Sequence, residues 1–187
     1  MAIPASLLPF TSALACAVVL APVAALAKPA EITIASEADL RFGTFMVFGS
    51  GSRTVSTSGA VQDQSVIALE GRPTGPARFT LTFDRGNESR QVLAIEAVLL
   101  ISPVAPTRQQ GVQASVSAYE TDIPGSSGLL VPGQPVQVQL RNCARRLCSL
   151  TFNLGARLDV TRVYGGADLS LPIPVDVAVL SVDRHAN

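Results

Sequence analysis

Residues 28–187 are predicted to fold as an all-β antiparallel sandwich of about eight to ten short strands, preceded by a signal-peptide helix over residues 1–27. Three observations predict this. Apolar residues recur at every second position in run after run, the period that places them on one face of a strand. Clusters of Gly, Pro, Ser, Asn and Asp separate those runs at short intervals. No stretch after residue 27 carries the 3.6-residue period of a helix packed on a core. At 187 residues the chain fits a leader and one domain.

The leader comes first. Residues 5–27 are apolar or small almost throughout and end in Ala25-Leu26-Ala27, a small–x–small site followed by Lys28 and Pro29. Cleavage between Ala27 and Lys28 is expected, and with it export through the Sec route to the periplasm, cell surface or extracellular space. No Lys or Arg precedes Lys28, and an uncleaved anchor is the competing reading, since about 20 apolar residues span a bilayer. Pro9, Pro22 and the small residues before the site favour cleavage, which leaves no stable membrane span. Ala13-Leu14-Ala15-Cys16 is a weak lipobox because its leucine sits one place off.

The mature chain opens on an alternating run. Ala30, Ile32, Ile34, Ser36, Ala38, Leu40 and Phe42 share one parity, with Glu31, Thr33, Glu37, Asp39 and Arg41 between them. One or two half-buried strands with a charged outer face follow from that pattern. The apolar run Phe45 to Phe48 is expected to break at Gly49-Ser50-Gly51-Ser52, and Arg53 to Thr57 and Gln64 to Glu70 are short strands around a turn at Ser58-Gly59. Residues 71–76 form a loop. Phe79, Leu81 and Phe83 alternate with Thr80 and Thr82, and Asp84-Arg85-Gly86-Asn87 is their turn.

Gln91 to Ile101 is the most apolar mature stretch and predicts a central strand, because its β-branched residues and the prolines at its exit, Pro103 and Pro106, disfavour a helix. Glu96 inside it calls for an Arg partner or an outer face that meets solvent. Val112 to Tyr119 is a further strand, and residues 124–133 a loop. Val136, Val138 and Leu140 before Cys143, and Leu150, Phe152 and Leu154 after Cys148, predict a β-hairpin closed by the two cysteines.

Asp168 to Val182 is expected to be a long closing strand. Leu169, Leu171, Ile173, Val175, Val177 and Val179 hold one face. Pro172 and Pro174 lack N–H groups on the same edge, so that edge stays unpaired early in the strand, while Val175 to Val182 is free to pair on both sides.

Composition excludes several functions. Fourteen basic and 14 acidic residues balance, and the basic residues are scattered, so no stripe tracks nucleic-acid phosphates. Cys143 and Cys148 are the cysteines left once the leader is removed, and in an exported chain such a pair predicts a disulfide. Closing so short a loop contributes ~2 kcal/mol in the chain-entropy model. A structural zinc needs four ligands, and no cofactor or metal set is expected. Arg141, Arg145 and Arg146 crowd the expected hairpin, either as an anion contact or as a solvated tip. His185 is the single histidine, two residues from the end, a poor position for a general base. Nucleophile, Walker and dinucleotide motifs are missing, and the chain is expected to be no enzyme. Glu31, Glu37 and Asp39 fit a solvated face better than paired catalytic carboxylates.

Two segments carry a family resemblance. Asp39-Leu40-Arg41-Phe42-Gly43-Thr44-Phe45 resembles the D-L-x-F-G-x-F opening of DUF4402, a family of secreted bacterial β-proteins. Phe152-Asn153-Leu154-Gly155-Ala156-Arg157-Leu158-Asp159-Val160, then Gly165-Gly166 and an alternating end, is similar to that family's F-x-x-G-x-L-x-V ending. The resemblance brackets most of residues 30–182 and implies kinship with spore-coat-U-type and fimbrial subunits, hence an immunoglobulin-like sandwich. Fimbrial relatives often end in an aromatic residue, whereas this chain ends Asp183-Arg184-His185-Ala186-Asn187.

The expected function is therefore an exported structural subunit of a cell-surface or fimbria-like assembly, associating by β-strand addition. Ala30, Ile32 and Ile34 are the candidate donor residues, entering a groove of an identical or related subunit, and a periplasmic chaperone is a candidate further partner. The same segment pairing within its own domain is the plain alternative. A monomeric glycan-type binding module is the runner-up, with Tyr119 and Tyr164 as its candidate aromatic platform in a chain without Trp.

Overall fold

The computed structural model describes residues 28–87, 91–109, 111–162 and 166–184. The expected leader helix, its Ala27 cleavage residue, Cys16, Tyr164, Gly165 and His185 lie outside them. The described residues form twelve strands: β1 (Glu31–Ala38), β2 (Leu40–Val55), β3 (Val61–Ala68), β4 (Ala77–Asp84), β5 (Leu93–Ile101), β6 (Thr107–Gln109), β7 (Val112–Thr121), β8 (Gly128–Leu130), β9 (Pro135–Cys143), β10 (Leu147–Arg162), β11 (Gly166–Leu171) and β12 (Val175–Arg184). Every pairing between them is antiparallel, and the fold is an all-β sandwich.

Nine strands share one sheet, whose backbone order is β1-β4-β10-β2-β11, and β12-β5-β9 make a second, smaller sheet. β10 holds the larger sheet together. Leu154 is paired with both Ala77 of β4 and Thr121 of β7, and Ala156 with both Val55 of β2 and Tyr119 of β7. A strand has only two edges, so β4 and β2 follow one another along one edge of β10 while β7 takes the other.

Period-two burial builds the core as the sequence predicts. Phe79, Leu81 and Phe83 on β4, Leu93, Ile95, Leu99 and Ile101 on β5, and Val136, Val138 and Leu140 on β9 face inward and join one buried cluster, and Ala97 on β5 is buried beside them in sequence. Phe79 and Phe152 sit directly opposite across β4 and β10 and stack at 5.6 Å between ring centroids, a cross-strand aromatic pair. Glu96 lies on the exposed outer face of β5, the solvent-facing alternative, and accepts hydrogen bonds from Gln139 Nε2 at 3.1 Å and Ser181 Oγ at 3.4 Å.

Both family-like motifs are structural. Leu40, Phe42, Phe45, Phe152, Leu158 and Val160 are buried. Gly155 is required by close approach, because a Cβ there would lie 2.4 Å from the Val55 carbonyl oxygen. Gly43 turns at φ +67°, beside the Arg72 carbonyl.

Three expectations are corrected. The closing strand is two strands in different sheets: β11 pairs β2, and β12 pairs β5 alone. Pro172 and Pro174 cannot donate to a ladder, so the chain leaves one sheet at Leu171 and enters the other at Val175. The segments around Cys143 and Cys148 are not a hairpin, since β9 pairs β5 while β10 pairs β4, β2 and β7. Finally, Gly49 to Ser52 does not end β2. Phe48 to Gly51 bulge away from β3, but Ser50 to Val55 run along β10, which carries the strand through.

Bent β2 is braced by a residue the sequence does not flag. Arg53 is 1% exposed. Its Nε and Nη2 donate to Asp63 Oδ1 and Oδ2 at 2.7 and 2.8 Å, and its Nη1 donates to the carbonyls of Phe42 at 2.9 Å and Thr44 at 3.5 Å. The ladder between β2 and β11 skips Phe42, so Arg53 satisfies a carbonyl that the sheet leaves over. The Phe45 ring lies under the guanidinium at 5.1 Å.

Candidate strand-addition site

β1 is the first strand of the larger sheet and pairs with β4 alone, within its own chain. Ile32 stands opposite Phe83 and Ile34 opposite Leu81. Both isoleucines are half-buried against the core, whereas Phe83 and Leu81 are fully buried. Ala30 precedes the strand and is exposed. One residue, Asp39, separates β1 from β2. A strand held along one edge and by one face is the easiest element of a sandwich to detach, and its loss would uncover an apolar groove on β4.

The head of β1 is held by the turn after β4. Asp84 Oδ1 accepts from Arg146 Nε and from the Gly86 N–H, each at 2.9 Å, and Oδ2 accepts from Lys28 Nζ at 2.9 Å and from Arg146 Nη2 at 3.3 Å. Its side chain is 15% exposed. The hydrogen bonds from Arg146, then from the Gly86 N–H and Lys28, hold its carboxyl well below the usual carboxylate range, and Asp84 in turn pushes the Arg146 guanidinium up. The Asn87 N–H donates to the Lys28 carbonyl at 3.3 Å.

Arg146 arrives on the loop closed by the Cys143–Cys148 disulfide, whose Cα atoms are 5.4 Å apart. This disulfide spans the corner where the chain passes from the smaller sheet to the larger. Buried Arg85 braces the same corner: its N–H donates to the Arg146 carbonyl at 3.1 Å, Nη1 to the Gln91 carbonyl at 2.8 Å, and Nη2 to the Cys143 carbonyl.

The three loop arginines are dispersed. Arg146 is on Asp84, Arg141 donates to Gln139 Oε1 through Nε at 3.0 Å, and Arg145 is exposed. An open cleft of about 580 Å³ lies between Pro124-Gly125-Ser126 and the outer face of β9, at Gln137, Gln139 and Arg141. Tyr119 is fully buried in β7, and burial pushes its phenol up, so it offers no stacking platform. Glu37 accepts from Thr80 Oγ1, and Glu31 lies 3.9 Å from Lys28 Nζ. Among the described residues no three His, Cys, Asp or Glu are grouped to hold a metal ion.

Asp84 and Arg53 are the residues sequence reasoning missed. Asp84 was legible only as a turn residue, because its partners Lys28 and Arg146 lie 56 and 62 positions away.

A family model described as a domain of unknown function (DUF4402) matches residues 32–168. No curated protein and no solved structure matches the chain.

Proposed function

From the premise that the chain belongs to the DUF4402 family, we propose that it is an exported, non-enzymatic structural subunit of a cell-surface, fimbria-like assembly, joined to its neighbours by β-strand addition. The observation that carries the reading is β1, a one-edged strand with half-buried Ile32 and Ile34, laid over the fully buried Phe83 and Leu81 of β4. If β1 of one copy leaves β4, the equivalent strand of a second copy fills the same groove with the same side chains. Main-chain hydrogen bonds supply affinity, and the two isoleucines supply specificity. The disulfide supports export, since such bonds persist in oxidising compartments. The edge beside Pro172 and Pro174 plays no part, because those residues form the crossing between sheets.

A monomeric binding module is the second reading. It draws on the pairing of β1 within its own chain and on the polar cleft beside Gln137, Gln139 and Arg141. Light scattering after size exclusion separates the two. The chain from Lys28 is expected to give a ladder of oligomers, and a form starting at Glu37 is expected to lose it. A stable monomer from Lys28 that unfolds on truncation supports the second reading and defeats the first.

A further inference from the structure

We propose that the turn Asp84–Asn87 is the recognition subsite of the strand-acceptor groove, and that it selects a strand carrying a lysine four residues ahead of its first core-facing aliphatic, as β1 of a second copy of this chain does. The inference rests on the strand-addition reading above. In that assembly the neighbour's Lys28 meets this chain's Asp84, and its Ile32 then falls on Phe83.

The geometry favours a built site over a chance surface ion pair. The turn grips Lys28 at two chemically different points, its ammonium through Asp84 Oδ2 at 2.9 Å and its carbonyl through the Asn87 N–H at 3.3 Å. Gly86 makes the room: its backbone sits at φ +65°, and a Cβ there would lie 2.0 Å from the Lys28 carbonyl oxygen and 2.9 Å from that of Pro29. Any side chain at position 86 therefore occupies the place of the incoming main chain. Asp84 is itself fixed before the strand arrives, by Nε and Nη2 of Arg146 and by the Gly86 N–H. The one oxygen position left to Lys28 is thus aimed at the head of β1.

A strand needs such a device because a groove made of alternating side chains fixes which face is buried but not the register in steps of two. A slip of one residue turns Ile32 and Ile34 outward and puts Thr33 over Phe83. A slip of two keeps the face and misplaces only the ends. An ion pair at the head, together with the carbonyl contact, penalises both slips.

The test uses the full chain carrying I32D and I34D, whose own β1 no longer suits the groove, as acceptor. The probe is a fluorescent peptide of residues 28–38. The native peptide is expected to bind, and K28E peptide, or a peptide with the lysine moved by one position, is expected to bind roughly three- to ten-fold more weakly at low salt. On an acceptor that also carries G86N, which tolerates the left-handed backbone but fills the cradle, the three peptides should converge. Equal binding of all three to the unmodified acceptor overturns the proposal and leaves strand addition standing. No binding of any peptide to a folded acceptor defeats strand addition itself. If the I32D/I34D chain does not fold, amide exchange on otherwise native chains decides. K28E and G86N should each speed exchange at Thr33 and Ala35 several-fold with β5 unchanged, and exchange at the native rate overturns the subsite.

Discussion

Replacing Asp63 with Ala is expected to cost this fold several kcal/mol, on the order of 3–5 for a broken buried ion pair. Arg53 is 1% exposed, and its two carboxylate bonds at 2.7 and 2.8 Å are replaced by nothing water can reach from the guanidinium side. Removing one partner of a fully buried ion pair costs about 3–5 kcal/mol, because an uncompensated charge stays behind. Asp63 is 25% exposed on its side chain and Arg53 keeps the Phe42 carbonyl and the Phe45 ring, which places the expected loss near the lower end, about 3 kcal/mol. In a domain of this size that corresponds to a fall in Tm of roughly 6–12 °C. Urea titration followed by far-UV circular dichroism measures it directly. The sign of the double variant is more telling than the size. With Asp63 gone, the charge on Arg53 is a liability, so D63A/R53M should be more stable than D63A alone. A loss under about 1 kcal/mol in D63A, or a double variant less stable than D63A, refutes the view that Arg53 is held desolvated at the bend of β2.

Three further outcomes follow from the corner and the core. C143S/C148S is expected to lower the urea-derived stability by ~2 kcal/mol, matching the effect of a reducing agent on the native chain; no change on reduction contradicts a closed loop at that corner. The folded carboxyl of Asp84 is held below its unfolded value of 3.8, so its contribution is fully present above that value and is lost as pH falls below about 4. The acid limb of a stability-against-pH curve should therefore flatten in D84N, and an unaltered limb shows that the contacts from Lys28 and Arg146 add nothing. G155A places a methyl 2.4 Å from the Val55 carbonyl and is expected to destabilise by about 1–3 kcal/mol, since backbone must move rather than a side chain; a neutral result on a thermal melt means β2 and β10 are not packed that closely.

The candidate site was half legible in the sequence. Ile32 and Ile34 announced themselves by parity, and the disulfide by its isolation. The residues that hold the strand's head did not. Lys28, Asp84 and Arg146 are ordinary charged residues scattered over the chain, and only the β4–β10 ladder brings Arg146 beside Asp84. Arg53 was silent for the same reason, since nothing within a few positions of it reveals a bent strand whose spare carbonyl needs a donor.

By itself the sequence determined where most of the strands lie and which side of β4, β5 and β9 is dry. β4, β5 and β9 lie where alternation places them, and the turn at Gly86 lies where a residue with positive φ was needed. Alternation is a property of neighbouring residues along one chain, so it survives without knowledge of the fold. Tertiary structure alone decided which edges meet. The two flanks of Cys143 and Cys148 have perfect hairpin alternation yet enter different sheets, and the run from Asp168 to Val182 keeps one parity across a change of sheet. Main-chain donors and acceptors are the same at every residue except proline. Partner choice therefore rests on long-range burial, on prolines that end a ladder, and on charged groups such as Asp84 that settle only once distant strands have met.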